Sequence, residues 1–465
     1  MHIVLREVKD MKNNSQKLGE EPVLKLLWSF SAPAIVGMIV NAIYNVVDRI
    51  FVGQAVGDKA LAALSFVYPF MTAIMAAGML VGLGGTSLVA ISLGQGNRKR
   101  AESIINNVCV FAIILELIVA ALGYIFLKPL LRLFGTPEGI IMDYACDYML
   151  IILAGAVFQG VGFSLNAIIR SEGNPKMAMV SMLAGAITNI VFDWLLTMVI
   201  RMGVIGAAIA TILGQLATML WVLFYFTKKS SLRLNLKGFR PDFSLISKTM
   251  FLGLSPALVQ FAMATVNIIY NNLLISYGNA ELGAGSGDIA VSAFAVYNSA
   301  MTLAIMPIFG FNQGVQPIVG YNYGARKYDR VQKAMKYGVA AATVFVVIGF
   351  TIIHLFPEQI VRAFNSSPQL IKLGRQALIT NSMALPLVGA QIICSNYFQY
   401  INRPRAATFF SLSRQCLFLI PALFIMPRFF GLDGIFYAQP VSDLISAAIS
   451  ISCACIALSR LGKEA

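Results

Sequence analysis

Twelve stretches of this chain are apolar for 20 residues or more, and that feature removes almost every fold open to a water-soluble protein. They run roughly over 24–50, 61–91, 104–127, 144–169, 177–200, 204–227, 246–275, 289–319, 335–356, 372–400, 406–427 and 432–459. About 20 residues of helix cross the hydrocarbon of a bilayer, and the longer runs have length to tilt or bend. In lipid every backbone polar group must be paired internally, so uninterrupted apolar runs of this length are helices. The sequence predicts an all-α integral membrane protein with twelve transmembrane helices. Only 12% of residues are charged, against about a quarter in a soluble domain.

Loop charge sets the orientation. Lys17, Lys25, Arg98–Arg100, Arg170, Lys176, the basic residues of 228–248, Arg326–Lys336, Arg403, Arg405, Arg460 and Lys463 fall on one side. Together with the basic residues of the first 12 positions, that side holds 25 Lys and Arg against 9 on the other, with Arg414 inside a span. The positive-inside bias predicts that both termini are cytoplasmic. The same argument reads the net charge of +14 as loop charge rather than a nucleic-acid surface. The polar first ~22 residues carry no cleavage signature, so the first span is expected to be retained.

The chain reads as two related halves. The most polar connection, TKKSSLRLNLKGFRPDFSLISK at 227–248, separates two sets of six spans. Pro33 in SAPAIVG matches Pro256 in LSPALVQ, Gly94-Gln-Gly96-Asn-Arg98-Lys99 matches Asn322-Tyr-Gly324-Ala-Arg326-Lys327, Arg132-Leu-Phe134 matches Arg362-Ala-Phe364, and Asn174-Pro175-Lys176 resembles Arg403-Pro404-Arg405, at an offset near 223–231 residues. Six is even, so the halves enter the membrane from the same side and form parallel repeats, with a substrate cavity expected between them. The expected organisation is 1–23 as an N-terminal cytoplasmic segment, 24–227 as an N-lobe, 228–245 as a cytoplasmic linker, 246–459 as a C-lobe and 460–465 as a tail. Pro33, Pro256, Pro307 and Pro317 lie inside spans, where a missing hydrogen bond predicts kinks.

The residues that can do chemistry are few. Asn189 and Asp193 stand four apart in the fifth span, on one helical face. Thr211 follows in GAAIAT, and an antiparallel neighbour can bring its hydroxyl to the same place. Asp48 is a second carboxylate near the end of the first span. These hard oxygens suit a small cation or a proton, and a charge held inside a span is costly enough to be retained for function. Plainer roles suit them too: an asparagine can bridge two helices, and Asp48, followed by Arg49, is close enough to the span end for headgroup level. The cysteines (109, 146, 394, 416, 453 and 455) lie in or beside apolar runs without metal-site spacing, and the histidines are His2 and His354. With no HExxH and no GxxxxGK[ST], neither a metalloenzyme nor an ATP-driven pump is indicated.

Taken together, SAPAIVGMIVNAIYNVVDRIFVG (31–53), LGQGNRKRA (93–101), TNIVFDWLL (188–196), GAAIAT (206–211) and YNYGARKYDR (321–330) resemble the multidrug and toxic compound extrusion (MATE) family, within it most closely the bacterial MepA-type and DinF-type branches. The resemblance covers about 24 to 459. It implies two six-helix bundles in a V and efflux of bulky amphipathic, mostly cationic drugs in exchange for Na⁺ or H⁺. It implies a coupling site at Asp48, Asn189, Asp193 and Thr211, a cavity lined by Asn41, Tyr44, Asn166 and Met182, and a bent first helix at Pro33. In the C-lobe the seventh span offers Gln260 to the cavity and Pro256 as a second bend, but no carboxylate of the kind NorM-type members carry. Asp443 could replace that function or pair with Arg414, and Glu116 could meet a structural partner. No cofactor and no nucleic acid are expected, and the transporter is expected to act as a monomer in membrane lipid. A flippase for lipid-linked oligosaccharides is the rival reading; its cavity would be strongly basic, whereas the basic residues here are mostly in loops.

Overall fold

The computed structural model describes residues 15–133, 139–236, 239–283, 285–364 and 367–461. His2, Phe134, Lys237, most of the N-terminal segment and the end of the tail lie outside them. The N-lobe comprises α1 (Val23–Ala55), α2 (Asp58–Gly94), α3 (Arg98–Ile125), α4 (Ile140–Ser171), α5 (Pro175–Val199) and α6 (Val204–Lys229). The C-lobe comprises α7 (Phe243–Leu282), α8 (Gly287–Gly324), α9 (Tyr328–Leu355) and the bent pair Pro368–Asn381 and Leu385–Tyr400, together α10. A last helical stretch, Pro404–Arg460, reverses direction at Gly431 (φ 57°, ψ −136°) into α11 (404–430) and α12 (432–460). Divided at Gly431, the described residues provide twelve helical segments long enough to cross a bilayer.

Local chemistry sets the ends of these helices. Asn97 caps α3 by accepting from the Arg100 N–H at 3.0 Å, and Asp242 caps α7 by accepting from Leu245 at 3.0 Å. Pro175, Pro368 and Pro404 open their helices, where a missing N–H costs nothing. Gly203 (φ 63°) precedes α6 as Gly431 precedes α12; this backbone is strained for a side chain with a Cβ, and both repeats place glycine there. Within α10 the chain breaks by 47° before Pro386, because proline disfavours helical backbone in the residue before it. The apolar run 372–400 predicts one uninterrupted span, and the break at Pro386 divides it. Pro33 and Pro256 sit inside continuous helices.

The structure also corrects the internal alignment. Gly94 and Gly324 are the last residues of α2 and α8, so Gly94, and not Gly96, is the counterpart of Gly324. Gly96 (φ 73°) instead matches Arg326 (φ 57°), a non-glycine in left-handed backbone. Matching on the Arg-Lys pair shifted the register by two residues.

The lobes meet along the ends of α1, α2, α7 and α8 that adjoin the basic loops. An added Cβ on Gly84 would strike the Thr249 carbonyl, one on Gly253 the Leu80 carbonyl, and one on Gly314 the Ser31 side chain. Gln316 of α8 donates to Ser87 Oγ of α2 at 3.1 Å. In the opposite halves of these helices Val46, Ile50, Tyr68 and Leu303 are exposed. Two straps cross the same end. Leu18 O, before α1, accepts from Asn322 Nδ2 (2.9 Å) and Arg330 Nη2 (3.1 Å) of the other lobe. Before α7, the backbone N–H groups of Asn235 and Asp242 donate to Asn106 and Asn107 of α3 at 3.0 and 3.1 Å. Buried Glu172 holds the same linker by accepting from Ser230 Oγ and the Leu232 N–H.

Candidate functional site

Four N-lobe helices converge on one pair of carboxylates. Asn41, Tyr44 and Asp48 recur at three- and four-residue spacing along one face of α1, and the Tyr44 hydroxyl interacts with the Asn41 and Asn45 side chains. Asp193 ends the regular part of α5; the next turn, Trp194–Val199, is π-helical. Such widened turns recur at functional sites because they re-aim side chains. Here the turn brings Thr197 Oγ1 to donate to Asp193 Oδ1 at 2.8 Å, with both residues fully buried. Asp48 of α1 and Asp193 of α5 are close neighbours. Among the described residues, neither Asp48 Oδ1 nor Asp193 Oδ2 has a protein donor.

Small residues let α5 and α6 approach. A Cβ on Gly214 would come within 2.9 Å of the Asn189 Cβ, and one on Gly185 would strike Thr218. Asn189 is buried, and neither end of its amide has a partner among the described residues. The antiparallel crossing that sets Asn189 against Gly214 carries Asp193, one turn on, toward Thr211. The four residues singled out in the sequence thus share one neighbourhood. It also holds a residue that sequence reasoning missed: Tyr148 of α4, 2% exposed, interacts with the Thr211 hydroxyl and stands near Asp48, Asp193 and Tyr44. A tyrosine in an apolar run gives no period or spacing signal, so only the packing of α4 could find it.

The other candidates divide. Met182 packs on α1 where Gly37 leaves room; a Cβ there would lie 2.7 Å from its sulfur. Gln260 reaches across the lobes from α7, its Nε2 3.8 and 3.7 Å from the sulfurs of Met75 and Met79, which are weak acceptors. Asn166 does not open on a cavity. Its amide nitrogen donates to Ala178 O (2.8 Å) and Ser181 Oγ, and its oxygen accepts from buried Arg170 at 2.6 Å. A polar side chain so committed ties α4 to α5 in this state. Glu116 is fully buried against Gly160, with neither carboxyl oxygen partnered, so the structural partner considered for it is not found among the described residues.

In the C-lobe, Asp443 accepts from Gln439 at 3.0 Å and lies 3.6 Å from Arg414. It is tied to a cation of its own lobe. No group of three His, Cys, Asp or Glu that could hold a metal ion occurs among the described residues.

Two six-helix lobes in parallel repeat, with paired intramembrane carboxylates in one of them, define a polytopic transporter rather than an enzyme. The sequence matches the MatE family over residues 33–195 and 256–425, and the chain belongs to that family. It is similar to the multidrug export protein MepA of Staphylococcus haemolyticus, 24% identical over 93% of both chains, and to MepA of Staphylococcus aureus, 24% identical over 92% of both. Its fold is that of solved MATE structures. One described as the outward-facing conformation of a multidrug resistance MATE family transporter superposes with a TM-score of 0.89, at 25% identity, over 96% of this chain and 98% of the other.

Proposed function

We propose that this protein exports bulky amphipathic, mostly cationic compounds across a bacterial cell membrane by exchange with Na⁺ or H⁺, working as a monomer with both termini in the cytoplasm. The observation that carries the reading is the pair Asp48 and Asp193. Two neighbouring carboxylates, each with one buried oxygen that no described donor meets, require a positive charge between them, and a proton, a small cation or a cationic substrate can each supply it. Asn189 Oδ1 and the Thr211 hydroxyl add neutral hard oxygens for a cation. Ion and substrate then compete for the same negative centre. A preference of each for one of the two cavity orientations couples their movements, because a ligand shifts an equilibrium only by its differential affinity.

The multidrug export function named for the staphylococcal relatives agrees with this reading. So do Met182, packed on α1 at Gly37 two turns before Tyr44, and Met75 and Met79 beside Gln260, since adaptable thioethers and aromatic faces suit varied amphipathic cations. In this state the lobes are closed at the basic-loop end; bending of α1 at Pro33 and of α7 at Pro256 belongs to the change toward the other orientation. Purified protein in liposomes, with a Na⁺ gradient and a pH gradient imposed separately, tests the coupling. Uptake of a cationic dye driven by one gradient is expected, and dye movement indifferent to both would overturn it. A cysteine at Ser244, exposed beside the linker, is expected to resist labelling from outside intact cells.

A further inference from the structure

A groove of about 380 Å³ opens on the outer surface of the C-lobe between α7 and α11, away from the carboxylate pair. Phe251 and Leu254 of α7 and Thr408 and Phe409 of α11 form its walls; Phe251 and Phe409 are more than half exposed. Its floor is fixed. Ser255 Oγ donates to Ala407 O at 3.2 Å between two fully buried residues, and Phe410 stacks on Phe398 at 4.7 Å. Arg405, the second residue of α11, lines the end nearest the basic loops. Lys248 precedes Phe251 by three residues, so it stands on the same face of α7 at that end. Lys248 lies about 7 Å along α7 from its first residue, within a turn and a half of the basic-loop end. Neither cation has an acidic partner among the described residues.

The groove is a property of this chain rather than of its repeat. The N-lobe counterparts of Lys248 and Arg405 are Lys25 and Lys176, yet Lys25 is paired with Glu21 at 3.3 Å. Trp28, at the Phe251 position, is drawn edge-on against Phe311 of the other lobe at 5.6 Å. Among the described residues, the C-lobe groove keeps Phe251 exposed and has two cations without acidic partners at its mouth.

We propose that this groove is a binding site for one anionic phospholipid, its phosphate between Lys248 and Arg405 and an acyl chain along Phe251, Leu254 and Phe409. Basic pockets between helices at the headgroup level recognise anionic headgroups, and each Lys or Arg near the surface contributes about 1 kcal/mol. Apolar walls alone take any lipid; the cation pair selects by charge.

Native mass spectrometry of the full-length protein, titrated with dioleoyl phosphatidylglycerol or dioleoyl phosphatidylcholine, tests this without reference to transport. One phosphatidylglycerol adduct is expected to persist under activation that strips phosphatidylcholine. Each of Lys248→Gln and Arg405→Gln is expected to weaken it roughly fivefold, the change equivalent to that contribution per cation. Leu254→Trp keeps both charges and fills the groove, and it too is expected to lose the adduct. Lys333→Gln with Lys336→Gln removes two distant charges and is expected to leave it intact. Equal retention of the two lipids, equal loss in the distant double variant, or an adduct unaffected by Leu254→Trp would overturn the site. Displacement of phosphatidylglycerol by millimolar inorganic phosphate would overturn the lipid as its ligand.

Discussion

Gly94 at the end of α2 and Gly324 at the end of α8 form a reciprocal contact between the lobes: a Cβ on Gly94 would strike the Tyr321 carbonyl, and a Cβ on Gly324 the Ile91 carbonyl. The two glycines are counterparts in the internal repeat, so the seal is made twice by the same device. Backbone against backbone has no side chain that can move aside. Gly324→Val is expected to disfavour the state closed at the basic-loop end by about 1–3 kcal/mol, the usual cost of overpacking. A cysteine at Ser87, fully buried here, should then become reactive to a membrane-impermeant thiol reagent applied from that end. Unchanged reactivity beside normal thermal stability would show that these contacts do not hold the gate.

Asp48→Asn and Asp193→Asn each keep side-chain shape and remove the negative charge between α1 and α5. Each is expected to lower ion-driven flux roughly 10- to 100-fold, in line with about 1.5–3 kcal/mol for an interaction with a charged group, with little change in melting temperature. Asn189→Ala and Thr211→Ala should weaken ion dependence more mildly, since each removes one neutral ligand. Full flux in liposomes carrying Asp193→Asn would move coupling away from this pair.

Tyr148→Phe removes a hydroxyl that meets Thr211 beside the two carboxylates. The expected result is a fewfold shift in the ion concentration for half-maximal flux, matching about 1 kcal/mol for a hydrogen bond, with the maximal rate retained. A variant that simply melts earlier, with unaltered ion dependence, would assign Tyr148 to packing alone.

Asp443 is expected to behave differently. Asp443→Asn leaves Arg414 without its carboxylate in a setting where Asp443 is 4% exposed. Stability is expected to fall on the order of 3 kcal/mol, while the folded fraction keeps most of its transport. Adding Arg414→Met should restore stability by removing the stranded charge. Complete loss of flux in a stable Asp443→Asn protein would give the C-lobe its own coupling site.

Length and polarity of the apolar runs were enough to determine twelve membrane helices in two repeated halves, because a bilayer leaves no other way to satisfy the backbone. Spacing alone placed Asn189 and Asp193 on one face, since a helix repeats every 3.6 residues. Contacts between helices followed from packing instead. Asn166 had the residue type and depth of a cavity residue, yet Arg170 and Ser181 consume it. Tyr148 had no signal in its neighbours and reached the site only because α4 crosses there. The two-residue error in aligning Gly96 with Gly324 arose because Arg326 takes the backbone that Gly96 takes. Which carboxylates stand free and which are paired was likewise a tertiary decision. Asp48 and Asp193 meet with one buried oxygen of each left without a donor among the described residues, while Asp443 meets Arg414 and Gln439. The cost of a charge in a membrane is local to one helix and legible in the sequence, but the partner that offsets it comes from another.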